Sequence, residues 1–156
     1  MSKQTLSGPW SHDDIRVFLA QALIPARIAG IAPSGWPTVL SLWFLPEIDV
    51  LWCASTRTAK IVNLIEANGK CGFEVASEKM PYRGVRGQAR ATLHPDRGKA
   101  VLQSLVDRYL GDRKSSLAHW LLSRADNEVA IRLEVLRYHS WDFSTPRQNS
   151  PYTRPL

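Results

Sequence analysis

Between Val50 and Ile65 an apolar run breaks into Ser55-Thr56-Arg57-Thr58-Ala59-Lys60 and resumes as Ile61-Val62-Asn63-Leu64-Ile65. Hydroxyl, guanidinium and ammonium groups packed this closely form a set that binds anions, above all a phosphate. Ile61, Leu64 and Ile65 share one helical face, so the apolar strand should hand over to a helix at this corner. A helix start offers unpaired N–H groups and the positive end of the macrodipole, and Ser55, Thr56 and Thr58 add donors while Arg57 and Lys60 add charge. A plainer reading stands beside it, in which Thr58 or Ser55 caps a surface helix and Lys60 is solvated. Arg57 divides the same way, between phosphate contact and a charge facing water.

No other stretch carries a catalytic signature of its own. Cys53 and Cys71 lack a C-x-x-C spacing and fall inside apolar runs, which predicts reduced core residues. His12, His94, His119 and His139 are scattered, so no metal site is expected. Neither a nucleophile–base triad nor a carboxylate dyad stands out.

The elements that position the corner belong to one domain, because 156 residues with 44% hydrophobic content build a single core. The net charge of +6 favours an anionic partner without choosing among nucleic acid, an acidic membrane face and a phosphorylated small molecule. No signal peptide and no apolar run of roughly 20 residues is seen, which predicts a cytoplasmic protein without a membrane span.

Met1 to Trp10 lacks periodicity and reads as an arm. Ser11 to Asp14 is a capping box with Asp in place of Glu, opening a short amphipathic helix through Ile15, Phe18, Leu19 and Ala22. Arg27–Ala32 and Pro37–Leu45 are β-rich runs joined by Pro33-Ser34-Gly35-Trp36, and with Val50–Ala54 they are expected to form a three-stranded meander. A helix from about Thr58 to Ala67 ends at Asn68-Gly69. Strands follow at Lys70–Ala76 and Tyr82–Leu93, the second weakened by Gly84 and Gly87 unless it bends or something approaches its backbone closely. Helices around Val101–Tyr109 and Ser116–Arg124, a strand at Val129–Tyr138 and a flexible tail from Thr145 to Leu156 complete the chain. The tally predicts a mostly β fold: an antiparallel split β-barrel of six or so strands with Greek-key character and flanking helices.

From Pro25 to Phe143 the order of these elements resembles the FMN-binding split β-barrel superfamily, the pyridoxamine 5′-phosphate oxidase-like proteins. The residues that carry the resemblance are Ala26-Arg27-Ile28-Ala29-Gly30, Gly35-x-Pro37 and Leu42-Trp43-Phe44, then Leu51-Trp52-Cys53-Ala54-Ser55 leading to Lys60-x-x-Asn63-Leu64. Asn68, Tyr82-Arg83-Gly84-Val85-Arg86-Gly87-Gln88-Ala89 and Trp141-Asp142-Phe143 complete the set. The resemblance implies a homodimer with each of two flavins in a groove built by both subunits. It implies that Lys60 and the hydroxyls before it hold the FMN phosphate, and that Ser41, Leu42 and Trp43 run beside the isoalloxazine ring; for Trp43, core packing is an equal reading. It places Arg86 and Gln88 toward the cofactor from a facing strand, of this subunit or the other, with outward-facing polar residues as the alternative. At the ring's pyrimidine edge the Arg86 charge would stabilise an anionic reduced flavin.

Two positions depart from the pyridoxamine phosphate oxidases themselves. Thr38 stands where those enzymes carry a phosphate-binding arginine, and Trp141-Asp142-Phe143-Ser144-Thr145-Pro146-Arg147 replaces their W-R-x-x-R ending. The expected function is thus hydride transfer between FMN and an unidentified small molecule, with NAD(P)H as a candidate donor, rather than oxidation of pyridoxamine phosphate. A deazaflavin, a flavin- or tetrapyrrole-binding module without turnover, and a small nucleic-acid-binding barrel are the other readings. The last needs aromatics interleaved with Lys and Arg on an exposed face, whereas Trp43 and Trp52 lie in apolar runs.

Overall fold

A computed structural model describes residues 4–144. The strands are β1 (Thr5–Ser7), β2 (Ala26–Ile31), β3 (Pro37–Leu42), β4 (Leu45–Glu47), β5 (Val50–Thr56), β6 (Lys70–Ala76), β7 (Arg83–His94) and β8 (Glu128–Asp142). The helices are α1 (His12–Gln21), α2 (Lys60–Ala67), α3 (Gly98–Leu110) and α4 (Ser116–Ser123). All eight strands share one sheet in the order β3-β2-β6-β7-β8-β5-β4, with β1 parallel beside the far half of β8. Every other pairing is antiparallel, as the mostly β expectation requires.

The chain itself bends this sheet into a barrel. β3 and β4 are the two ends of the strand order, yet only Trp43 and Phe44 separate them in sequence. The three Cα–Cα steps from Leu42 to Leu45 span at most about 11 Å, so the sheet must curl until its two edges come close. Both edges carry a proline, Pro37 and Pro46, at positions where a missing N–H breaks no ladder in a central strand. Phe44 at this crossing is fully buried, and Tyr109 of α3 holds it: the Tyr109 hydroxyl accepts from the Phe44 N–H at 3.2 Å and donates to the Ile24 carbonyl at 3.0 Å.

These contacts correct the expected meander. β3 does not pair with β5; the run breaks at Trp43-Phe44, and the new strand β4 pairs with β5 from Leu45↔Trp52 to Glu47↔Val50. Of the arm expected over residues 1–10, the described part is docked: Thr5–Ser7 pairs along Arg137–His139 and the Trp10 indole donates to Asp142 at 3.2 Å, while residues 1–3 lie outside the described residues. The tail from Thr145 lies outside the described residues.

Inside the barrel, alternate residues of the central strands meet: Ile28, Leu51, Cys53, Cys71, Phe73, Val75, Val85, Ala89, Ile131 and Leu133. Ile61, Val62 and Ile65 of α2 close this core, and Gly30 leaves room for Leu64 at 3.3 Å. Burial pushes both thiols up, Cys71 to about 11 and Cys53 further. They are free, protonated core residues, as their apolar surroundings predict.

The glycines of β7 are explained by close neighbours. A Cβ at Gly87 would lie 2.2 Å from the Arg137 carbonyl and 2.6 Å from the Phe73 ring. α1 carries the capping box at Ser11 and Asp14, but no base in its last turn. Arg108 of α3 supplies one from outside, donating to the carbonyls of Leu19, Ala20 and Ala22 at 2.8, 3.1 and 2.7 Å.

Candidate functional site

The barrel is split where its two edges meet. β4 pairs with β5 only as far as Trp52, whereas β5 continues to Thr56 along β8. β3, at the other end of the strand order, stops at Leu42, and two residues separate it from β4. No ladder joins β3 to β5, and β3 is paired only with β2. The outer edge of β3 and the edge of β5 beyond Trp52 have no strand partner, so apart from the Thr56 carbonyl, which accepts from Ala59, backbone groups along them must find water or a ligand.

At the end of the gap α2 begins. Its N-cap is Ala59, with no side-chain cap bond, so neither Ser55 nor Thr58 takes up the capping role that the plainer sequence reading allowed. The helix starts two residues later than expected, at Lys60. Ala59 donates to Thr56 O at 2.9 Å and Arg57 to Asn127 O at 3.0 Å, which fixes the turn. Among the described residues the Lys60 and Ile61 N–H groups have no hydrogen-bond partner. Ser55 and Thr56 are half-buried, while Arg57, Thr58 and Lys60 are exposed and make no ion pair among the described residues. The corner thus offers two free N–H groups, hydroxyls and an ammonium, a donor set that suits a phosphate.

One buried acid lies beside it. Glu128 stands opposite Thr56, is 8% exposed, and burial raises its carboxyl above the ordinary range while Arg124 opposes that shift.

The sequence candidates fall into two places. Ser41, Leu42 and Trp43 reach the split from one edge, and Ser55 through Lys60 from the other. Ser41 faces out, Leu42 packs toward the main core, and Trp43 stacks on Tyr109 with centroids 4.8 Å apart and planes 5° from parallel. Arg86 and Gln88 lie elsewhere, exposed on the convex outer face of β7, with β6 and β2 between them and β3. Arg86 sits 5.8 Å over the Trp141 ring. A single chain does not bring these two to the split. Tyr109, which fixes the seam, was not singled out from the sequence; no local pattern ties it to Phe44, and only Pro46 in an apolar run hinted at an edge strand.

No protein-family model and no curated protein sequence matches the chain. Solved structures do. A conserved hypothetical protein from Mycobacterium tuberculosis superposes with a TM-score of 0.75 at 19% identity, covering 97% of this chain and 99% of the other. A structure named F420 reductase gives 0.68 at 21% identity over 83% and 97% of the two chains. An FAD-binding protein from Mesorhizobium loti gives 0.59 at 18% identity over 84% and 93%. At these identities the likeness is one of fold.

Proposed function

With the split-barrel fold of the pyridoxamine 5′-phosphate oxidase-like superfamily as the premise, we propose that this chain binds FMN in the gap between β3 and β5 and serves as a flavin-dependent oxidoreductase. The observation that carries the reading is the split itself. Two strand edges with unpaired backbone groups run into a helix start with free N–H groups and Lys60. A flavin matches this arrangement: the planar ring carries hydrogen-bonding groups along its rim, and its phosphate suits the uncapped corner.

In this reading Lys60, Ser55, Thr56 and Thr58 hold the phosphate, with Arg57 at its outer side. Ser41 and the β3 edge meet the ring, and Trp43 walls one end while Tyr109 keeps it stacked. The bound flavin supplies hydride acceptance and donation; the chain positions it and shields it from water. A second copy completes the site, because Arg86 and Gln88 reach a flavin only if another barrel's outer face covers the split. The substrate is a small molecule that exchanges hydride with the ring, and NAD(P)H is the candidate reductant.

A deazaflavin is the second reading, favoured by the +6 charge and by the fold match to an F420 reductase. The test is to purify the protein, identify any copurifying chromophore by mass spectrometry, and titrate FMN and the deazaflavin separately. A flavin spectrum with saturable thermal stabilisation by FMN supports the first reading. Stabilisation by the deazaflavin alone supports the second, and no response to either removes both.

A further inference from the structure

Between α1 and the β4–β5 turn lies a cavity of about 230 Å³ that shares no lining residue with the split or with the outer face of β7. Its floor is apolar: Ile15 and Leu19 of α1, both buried, meet the ring of Tyr138, which is 3% exposed. Pro46 and the exposed Ile48 wall the turn side, and Ala20 lines the helix side. The cavity is remote from the anion corner, because Tyr138 lies ten residues along β8 from Glu128, the partner of Thr56. That is roughly 30 Å of strand.

The charges around this floor oppose one another. Glu47 and Asp49 stand on the turn without an ion pair among the described residues, while Arg16 on α1 pairs with Asp13 of its own helix at 3.2 Å. An anion would meet the two carboxylates and a cation the guanidinium, so a neutral guest suits the cavity best. The remaining polar neighbour, His12, lies edge-on to the Tyr138 ring with centroids 6.3 Å apart. An apolar cavity of about 150 Å³ holds a benzene ring, so this one has room for a ring with two small substituents.

One acceptor is set in place for such a guest. The Tyr138 hydroxyl donates to Asp49 Oδ1 at 3.2 Å, and burial, with the Asp49 charge behind it, holds that hydroxyl protonated well above the usual phenol range. The Asp49 carbonyl accepts from the Val135 N–H at 2.9 Å, which fixes the turn. A carboxylate accepts several hydrogen bonds, and the Asp49 side chain receives only the one from Tyr138 among the described residues, so it keeps capacity toward the cavity.

We infer that this cavity binds a neutral single-ring phenol, its ring against Ile15, Leu19 and Tyr138 and its hydroxyl donating to the Asp49 carboxylate. The inference does not rest on the flavin reading, which uses none of these residues.

The test follows the backbone amides of Asp49 and Val50 by NMR in the full-length chain during titration with p-cresol, 4-methylanisole, benzylamine and benzoate. Saturable shifts are expected with p-cresol, and about tenfold weaker binding with 4-methylanisole, which keeps the ring and lacks the donor. Protonated benzylamine and benzoate are expected to bind no tighter than 4-methylanisole. Asp49→Asn keeps an acceptor for Tyr138 and tolerates the left-handed φ of 56°, so the turn survives. It is expected to weaken p-cresol about fivefold, since a neutral acceptor replaces a charged one. Ala20→Phe fills the cavity from an exposed helix position and is expected to abolish binding while the amide spectrum stays that of the folded chain. Absence of saturable shifts, equal binding of p-cresol and 4-methylanisole, or tighter binding of either ion overturns the proposal. Shifts centred on Ser41 and Thr56 instead would put the ligand in the split and overturn it as well.

Discussion

The split between β3 and β5 and the closed wall of β6, β7 and β8 are built from the same kind of strand, yet they lack different things. In the wall every strand is laddered on both sides, and packing is so close that Gly87 has no space for a methyl group. At the split the ladder stops at Trp52, and the two edges are held near each other by a side chain, Tyr109, instead of by backbone bonds. A wall completed by its own hydrogen bonds resists change and offers a ligand only its outer side chains. A seam left incomplete tolerates change and offers backbone groups, so the proposed site falls there.

Substitutions should divide along that line. Gly87→Val drives a side chain into the Arg137 carbonyl and the Phe73 ring, and should cost about 3 kcal/mol or more in urea unfolding. A smaller loss would mean that the wall can give, and would erase the contrast. Lys60→Ala should do the reverse: FMN affinity falls about 10- to 100-fold, worth roughly 1.5–3 kcal/mol for a charge-assisted contact, while the melting temperature holds. Unchanged affinity would remove the phosphate corner.

Tyr109→Phe sharpens the comparison, because it keeps the stack on Trp43 but leaves the Phe44 N–H unpaired. A cost of about 1–2 kcal/mol is expected, with faster amide exchange at Phe44 and β3 than in β7. The smallest effect is expected from Glu128→Gln. Burial raises the Glu128 carboxyl above its unfolded value, so ionising it opposes folding. Stability on this account is intact at pH 4 and falls as pH rises through the raised value. Glu128→Gln should therefore raise the melting temperature at pH 7 relative to wild type and leave it nearly unchanged at pH 4.

Much of the molecule was legible locally. The alternation of Val85, Ala89 and Ala91 against Arg86, Gln88 and Arg90 placed β7 and its buried face, and Asn68-Gly69 ended α2 where the chain turns into β6. The change from apolar residues to Ser55-Thr56-Arg57-Thr58 marked the corner. Pairing between distant strands was not legible, because β3 continues smoothly in hydrophobicity into Phe44 and Leu45 and nothing nearby states that the ladder partner changes. The short strands β1 and β4 were missed for the same reason, each being three residues long and defined by its partner rather than by its own pattern.

By itself the sequence determined what each segment is, since strand period, helix period, capping and turn chemistry act within a few residues. It also determined that the corner after β5 carries donors for an anion. Only the tertiary structure decided where that corner opens. Closing the sheet through Trp43 and Phe44 brings two edges together without pairing them, and the energy of an unpaired backbone edge depends on which strands are neighbours in space.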